Sequence, residues 1–316
     1  MASIKGQNIT LIAESSTTRT EWSLIDGGEV LAHAFTSGLN PFFMTRREIS
    51  HSIRLELPPE FFKRRWSHVY FYGAGCSGPE KNKIIEGSLV AQFKTPVTVM
   101  SDLLGAARGL LVREPGLACI LGTGSNSCFY DGNEIVKNVP ALGFILGDEG
   151  SGAALGRVFL GDALKGLAPH ELTEAFFDKY KVTRAEVLDA VLNNPAATRN
   201  LRAYSFFLSE HLDNPYVHET IAREFKRFFE RNVAQYDYKS YPVSFVGSIA
   251  TTYSEILLEV ANAFGATVKK IVLSSMPGLV AYHSDQERIG CIPRHPIMRE
   301  RNTNFWVKWN NSVVAH

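Results

Sequence analysis

Cysteine is scarce in this chain and poorly arranged for joint chemistry. The four thiols, Cys76, Cys119, Cys128 and Cys291, are scattered and include no C-x-x-C pair. A disulfide framework or a zinc cage is therefore not expected, and reduced, mostly buried thiols are. No apolar stretch reaches the ~20 residues that a bilayer span requires. The opening segment Met1-Ala-Ser-Ile-Lys-Gly-Gln-Asn8 lacks the continuous apolar core of a secretion signal, so a cytoplasmic location is the expectation. Excess charge of one sign is missing too: 33 Lys and Arg stand against 32 Asp and Glu, for a net charge of +1. That balance argues against a nucleic-acid or membrane partner. The short run Lys63-Arg64-Arg65 reads as a solvated helix face. Neither the Gly-Lys-Ser/Thr of a P-loop nor a dinucleotide fingerprint occurs.

What remains is the composition of a soluble globular protein, 45% hydrophobic and 21% charged over 316 residues, long enough for two domains. Short apolar runs end repeatedly in small-residue turns. Ile9–Ala13 runs into Glu14-Ser15-Ser16-Thr17-Thr18, and Trp22–Ile25 resumes as a strand before the hairpin signal Asp26-Gly27-Gly28. A helical spacing over Ser50–Leu57 stops at Pro58-Pro59. Val69–Tyr72 ends at Gly73-Ala74-Gly75, and Val97–Met100 ends at Ser101-Asp102 before a small-residue helix over 103–111. The second half repeats the plan. Leu117–Leu121 breaks at Gly122-Thr123-Gly124, and Ser127–Tyr130 leads to the turn Asp131-Gly132. Helices are expected over 152–165, about 206–235 and 250–264, with Val243–Val246 a strand broken at Gly247-Ser248. Phe225, Phe228 and Phe229 read as core. These halves predict a duplicated α/β plan with the ligand site in the cleft between them, and 285–316 breaks the rhythm as an irregular tail.

Four places carry candidate chemistry. Gly122 to Ser127 combines glycines, which let backbone approach a ligand, with hydroxyls and consecutive N–H groups suited to phosphate oxygens. Standing alone, such a turn is weak evidence and reads first as a tight β-turn. The hydroxyl-rich turn at 14–20 and the turn at Gly247-Ser248 recur at comparable places, which favours a nucleotide cleft. Asp102 sits at a strand's C-terminal end, where it reads either as a base for a substrate hydroxyl or as a helix N-cap. Asp148 and Glu149 stand before a helix, as sugar-hydroxyl acceptors or as caps, and Asn40 is a loop residue able to reach the same cleft.

Together, Tyr72-Gly-Ala-Gly-Cys76, Asp102-Leu-Leu-Gly-Ala-Ala-Arg108, Ile120-Leu-Gly-Thr-Gly-Ser-Asn-Ser127 and Leu146-Gly-Asp-Glu-Gly-Ser-Gly152 closely resemble the BadF/BadG/BcrA/BcrD-type ATPase family, in its branch similar to N-acetylglucosamine kinase. The resemblance spans about Ile9 to His283. It implies two α/β domains of the actin-like ATPase (ribonuclease H-like) fold, 1–108 and 109–272, with 273–284 packing back on the first. It implies an ATP-dependent sugar kinase, Mg²⁺ as cofactor, and a homodimer as the family-level assembly. In that frame Ser16, Thr17, Thr18 and Arg19 form the first phosphate motif. Gly122, Thr123, Gly124 and Ser125 form the second, and Gly247 and Ser248 the adenosine motif. Asp102 falls on the catalytic base, Asn40, Asp102, Thr123 and Asp148 on sugar-contacting positions, and Glu14 on the magnesium ligand.

The first motif departs from the family pattern Asp-Ser-Gly-Ser-Thr-Lys-Thr-Asp-Trp, reading Glu14-Ser-Ser-Thr-Thr-Arg-Thr-Glu-Trp22. Glu14 moves the metal-binding carboxylate by one methylene, and Ser16 puts a β-carbon where the family has glycine. A non-catalytic or weakly active sugar or nucleotide binder is therefore the second expectation. The third, a dehydratase-activating ATPase, needs iron–sulfur cysteines placed together, and no activator-like cysteine motif is present.

Overall fold

The computed structural model describes residues 9–63, 66–194 and 197–289. Arg64 and Arg65 of the basic run, and most of the irregular stretch expected at 285–316, thus lie outside the described residues. In the first half β1 (Ile9–Ser15), β2 (Arg19–Asp26), β3 (Glu29–Ser37), β4 (His68–Gly73) and β5 (Val97–Ser101) form a sheet of order β3-β2-β1-β4-β5. The hairpin strands pair antiparallel and β1, β4 and β5 pair parallel. Helices α1 (Arg46–Glu56) and α2 (Pro79–Phe93) flank it, and α3 (Asp102–Leu111) leads out.

The second half uses β6 (Gly116–Leu121), β7 (Ser125–Tyr130), β8 (Ile135–Val139), β9 (Val243–Val246) and β10 (Val268–Val272), ordered β8-β7-β6-β9-β10. Strand for strand this repeats the first sheet, with the same antiparallel and parallel pairings. The long insertion between β8 and β9 holds α4 (Gly143–Leu146), α5 (Gly152–Lys165), α6 (His170–Tyr180), α7 (Arg184–Leu192), α8 (Ala197–Ser205) and α9 (Pro215–Arg231). After β9 come α10 (Ser248–Thr252) and α11 (Ser254–Phe264), and α12 (Met276–Ile289) follows β10. The duplicated α/β plan is met.

Several boundaries differ from the sequence reading. The first helix starts at Arg46 rather than Ser50, because Thr45 and Glu48 form a reciprocal capping box. The expected helix over 206–235 is a 3₁₀ turn followed by α9, which starts at Pro215 with Asn214 as its cap. The expected helix over 250–264 starts at Ser248 and is interrupted at Tyr253. Helix α12 carries on to Ile289, past the expected tail boundary. The phenylalanines Phe225, Phe228 and Phe229 are buried as expected, and so are Cys76, Cys119 and Cys128, all free thiols.

Two helices, α3 and α12, join the halves. Leu103, Ala106, Ala107, Leu110 and Leu111 of α3 pack on Ala118, Cys128, Tyr130 and Val246 of the second sheet. Met276, Leu279 and Val280 of α12 pack on Ile12, Ile25 and Tyr72 of the first. Each helix thus follows one sheet and buries its apolar face on the other. They touch at glycines: a Cβ placed on Gly278 would lie 1.7 Å from the carbonyl oxygen of Gly109. A buried polar cluster locks the same junction. Tyr72 Oη meets His283 Nε2 at 2.9 Å, and Arg108 donates to Tyr72 Oη at 3.1 Å. Among the described residues no helix is long and apolar enough to cross a membrane.

Candidate active site

The ends of β1 and β5 build one wall. The β1–β2 turn closes with Ser16 N–H donating to the Arg19 carbonyl at 2.9 Å. Ser15 organises what surrounds it: its hydroxyl meets Thr20 Oγ1 at 2.8 Å and accepts the Leu39 N–H at 2.9 Å, drawing the loop with Asn40 beside the turn. Gly38 packs directly beneath, since a Cβ there would lie 2.5 Å from the Ser16 carbonyl oxygen. Asn40 is buried, and its Oδ1 accepts the Phe42 N–H at 2.9 Å. Asn40 Oδ1 also rests on Gly75, which has a φ of +82° and no room for a Cβ (Oδ1 at 2.4 Å). With Oδ1 engaged by the Phe42 N–H, the amide nitrogen of Asn40 supplies donors for a ligand.

Asp102 opens α3, but it is not the cap. Ser101 takes that position and its hydroxyl accepts the Leu104 N–H at 3.2 Å, while Asp102 Oδ1 accepts the N–H of Leu103 at 2.8 Å. The second carboxylate oxygen is not engaged in capping. Burial raises the Asp102 pKa against the opposing pull of the Leu103 N–H. Glu14, on β1, is pushed up to about 7 by burial, with the Glu21 and Asp102 carboxylates adding and Ser275 opposing. Glu21 lies across from Glu14 in register and is held by His33 Nε2 at 3.0 Å and Ser274 Oγ at 2.7 Å. Glu14 thus lies near other carboxylates, Glu21 acting on it more strongly than Asp102, with no basic group among the causes of its shift. A buried carboxylate so placed suits a divalent cation that takes its remaining ligands from water and phosphate. No group of three His, Cys, Asp or Glu able to cage a metal exists among the described residues.

The opposite wall is the β6–β7 turn. It is narrower than the sequence suggested, because Ser125 already pairs with Leu121 as the first residue of β7. The Gly122 N–H donates to the Gly124 carbonyl at 2.9 Å, and the Ser125 N–H donates to Asp148 Oδ1 at 3.0 Å. Among the described residues the turn's amides without a partner are thus Thr123 and Gly124, rather than a run through Ser127. The turn is pinned from behind: Gly152 and Ala153 N–H donate to the carbonyls of Gly122 and Thr123 at 2.9 and 3.1 Å.

Asp148 is not a helix cap either. Ser151 caps α5, accepting from the Ala154 N–H, and Asp148 precedes it with a φ of +55°. Burial raises its pKa to about 6 against the Ser125 hydrogen bond, with Glu149 adding. Glu149 is turned away and pairs with Arg231 at 2.5 Å. Gly247 (φ +126°) lies against the second turn, where a Cβ would meet the Leu121 carbonyl oxygen at 2.3 Å. The Ser248 hydroxyl accepts from Arg202 at 3.0 Å.

The structure therefore gathers Asn40, Glu14, the 16–19 turn and Asp102 at the end of the first sheet. Gly122–Ser125, Asp148, Gly247 and Ser248 gather at the end of the second. The supporting contacts of Ser15, Gly38, Glu21, Ser274 and Arg202 were not assigned from the sequence. Ser15, Glu21 and Gly38 lie in or beside the motifs, whereas Arg202 lies in a segment without turn or motif.

No family model matches the chain, and no curated protein does. Among solved structures, the putative N-acetylglucosamine kinase of Porphyromonas gingivalis is 42% identical, with a TM-score of 0.84 over 88% of this chain and 99% of that one. The putative N-acetylglucosamine kinase of Chromobacterium violaceum shares the fold at 18% identity and a TM-score of 0.64, over 87% of this chain and 99% of that one. A ROK family glucokinase from Streptomyces griseus, solved with glucose and AMPPNP, shares it at 14% identity and 0.55, over 89% and 99%. With the two sheets repeating one plan and a relative at this identity over nearly its full length, the chain belongs to the actin-like sugar kinase family.

Proposed function

We propose that this protein transfers the γ-phosphoryl group of ATP to the 6-hydroxyl of an amino sugar such as N-acetylglucosamine, within the BadF/BadG/BcrA/BcrD-type branch similar to N-acetylglucosamine kinase. The observation that carries the proposal is Asp102. It stands at the end of β5 with the capping role taken by Ser101, and burial raises its proton affinity. A carboxylate with a raised pKa is a better acceptor of a hydroxyl proton than an ordinary one.

In this reading Asn40, Thr123 and Asp148 hold the sugar hydroxyls and Asp102 accepts the proton of the attacking one. The sugar oxygen forms its bond to the γ-phosphorus as the bond to the bridging oxygen breaks, leaving ADP. Ser16, Thr17, Thr18 and Arg19 cradle phosphate from one wall. The turn Gly122–Ser125 does so from the other, through the amides of Thr123 and Gly124 with Gly122 and Ser125 shaping it, and Gly247 and Ser248 pack the adenosine. Glu14 would hold Mg²⁺, whose chemistry is to neutralise phosphate charge. The proposed domains, 1–108 with 273–284 and 109–272, would close over the substrates and exclude water; the crossing of α3 and α12 supports a joint there.

Replacing Asp102 by Asn tests the assignment through sugar-dependent ADP release across a panel of sugars. Turnover should fall by about 100-fold or more with sugar binding kept, and near-normal turnover would exclude Asp102 as the base. A second reading, a binder with little turnover, is favoured by one observation. The Ser16 hydroxyl accepts the Arg19 and Thr18 N–H groups at 3.1 and 3.3 Å, the amides that a phosphate would use.

A further inference from the structure

Arg202 lies on α8, outside every motif, yet its side chain reaches the point where the glycine turns converge. Its stem crosses the start of α5, where a Cβ on Gly152 would lie 2.8 Å from Arg202 Cγ. The guanidinium donates to Ser248 Oγ at 3.0 Å and sits 4.8 Å from the centre of the Phe206 ring. Gly152 in turn donates its N–H to the Gly122 carbonyl at 2.9 Å. Ser248 follows Gly247, which packs on the Leu121 carbonyl. The charge is thus seated between the second turn and the Gly247-Ser248 turn.

Among the described residues Arg202 has no carboxylate partner. Its pKa is lowered by burial and then by the charge of Arg19, which belongs to the first turn and stacks over Phe35 at 4.3 Å. Arg108, another partly buried arginine, behaves oppositely. Hydrogen-bonded to Tyr72 Oη and set against the Tyr282 ring, it has a pKa that is raised despite burial. Arg108 is held at the helix junction by Tyr72 Oη and Met100 Sδ, whereas Arg202 has Ser248 and the Phe206 ring beside it and feels the charge of Arg19 from the first sheet. A polyphosphate between them would convert a mutual repulsion into two attractions, and a guanidinium suits phosphate through paired N–H donors.

We propose that Arg202 is a nucleotide-binding residue whose guanidinium, held by Ser248, engages the phosphate chain of a nucleoside triphosphate from the wall opposite Arg19. The inference rests on the sugar-kinase reading for its nucleotide but not on phosphoryl transfer itself.

Calorimetry of the full chain with adenosine, ADP and a non-hydrolysable ATP analogue tests it, alongside ATP and sugar KM values. Arg202→Met keeps the stem over Gly152 and Phe206 and removes the charge. It should weaken ATP-analogue binding by about 10- to 100-fold while leaving adenosine binding and the sugar KM within about twofold. Arg202→Lys, which keeps charge but not the planar fork, should fall between. Equal losses for adenosine and the ATP analogue would mark a merely structural role and overturn the proposal, as would an unchanged ATP-analogue affinity. Should Arg202→Met fail to fold by thermal melting, the same comparison in Arg202→Lys decides. A parent protein that binds nucleotide yet phosphorylates no sugar defeats the kinase reading alone, and the phosphate-selective loss in the variants then still supports Arg202. A parent that binds no nucleotide overturns both.

Discussion

Asp148 and Ser125 are tied across the second wall by a hydrogen bond of 3.0 Å from the Ser125 backbone N–H to Asp148 Oδ1. Gly124 makes that bond sterically available, because a Cβ there would lie 2.9 and 3.0 Å from the two carboxylate oxygens. Asp148 has little freedom to retreat, being buried with a φ of +55°. Gly124→Ala should therefore displace the carboxylate and raise the sugar KM by about tenfold, the cost of one charge-assisted hydrogen bond. The double variant Gly124→Ala/Asp148→Ala should be no worse for sugar binding than Asp148→Ala alone. Additive losses in that cycle would show that Gly124 acts on something other than Asp148.

The same carboxyl sets a pH dependence. Burial raises the Asp148 pKa to about 6, so the sugar-accepting ionised form is gained as pH rises from about 5 to 7. The sugar KM should fall over that window, and Asp148→Asn should flatten the profile. Stability should move the other way. The folded state holds the Asp148 proton more tightly than the unfolded chain, whose carboxyl titrates near ~4. The contribution is complete below that value and is lost as pH rises through about 6. Urea midpoints of the parent and Asp148→Asn across pH 4 to 7 would reveal opposite slopes in stability and sugar affinity, and parallel slopes would contradict the assignment.

Ser16 supplies a gain-of-function test. Its hydroxyl accepts the Thr18 and Arg19 N–H groups at 3.3 and 3.1 Å. Ser16→Gly removes that internal acceptor together with the β-carbon, leaving both amides to a phosphate. The ATP KM should fall by about five- to tenfold, the worth of roughly one net hydrogen bond. The loss of the internal bonds and the greater chain entropy should lower stability by about 1–2 kcal/mol. An unchanged ATP KM would mean that the serine does not obstruct the turn, and would weaken the reading of a binder with little turnover.

Much of this arrangement is legible in the residues. Buried strands ending in small-residue turns revealed both hairpins and the repeat, because a strand must stop where glycine or hydroxyl residues take over from β-branched ones. The second turn was legible in kind but not in extent, since a strand pairing of Ser125 with Leu121 depends on where β6 ends rather than on composition. Helix α7 had a readable signal, the capping box Thr183-Arg-Ala-Glu186. Helix α2 offered little, since its apolar residues do not gather on one face. The capping roles of Ser101 and Ser151 separate function from structure at Asp102 and Asp148, and only backbone geometry shows which neighbour caps. Arg202 was out of reach because its significance lies in a contact with Ser248, 46 positions away.

The crossing of α3 and α12 yields the last prediction, where two effects of one substitution oppose each other. Replacing a helical glycine by alanine gains up to about 1 kcal/mol of backbone propensity when the new methyl has room. At Gly161, inside α5, a Cβ would find no heavy atom within 4 Å, so Gly161→Ala should raise stability by about that amount. At Gly278 the same methyl would lie 1.7 Å from the Gly109 carbonyl oxygen, and at Gly109 it would lie 2.4 Å from the Ser275 carbonyl oxygen. Backbone cannot rotate aside as a side chain does, so the helices must separate, and overpacking of this kind costs about 3 kcal/mol or more. The overlap outweighs propensity. Gly278→Ala should therefore lower the urea midpoint while Gly161→Ala raises it. Because α3 buries its face on the second sheet and α12 on the first, the separated pair should also loosen the seating of Asp102 at the head of α3. Gly278→Ala is expected to lose kcat beyond what its folded fraction explains, and a full recovery of kcat per folded molecule would confine the crossing to a structural role.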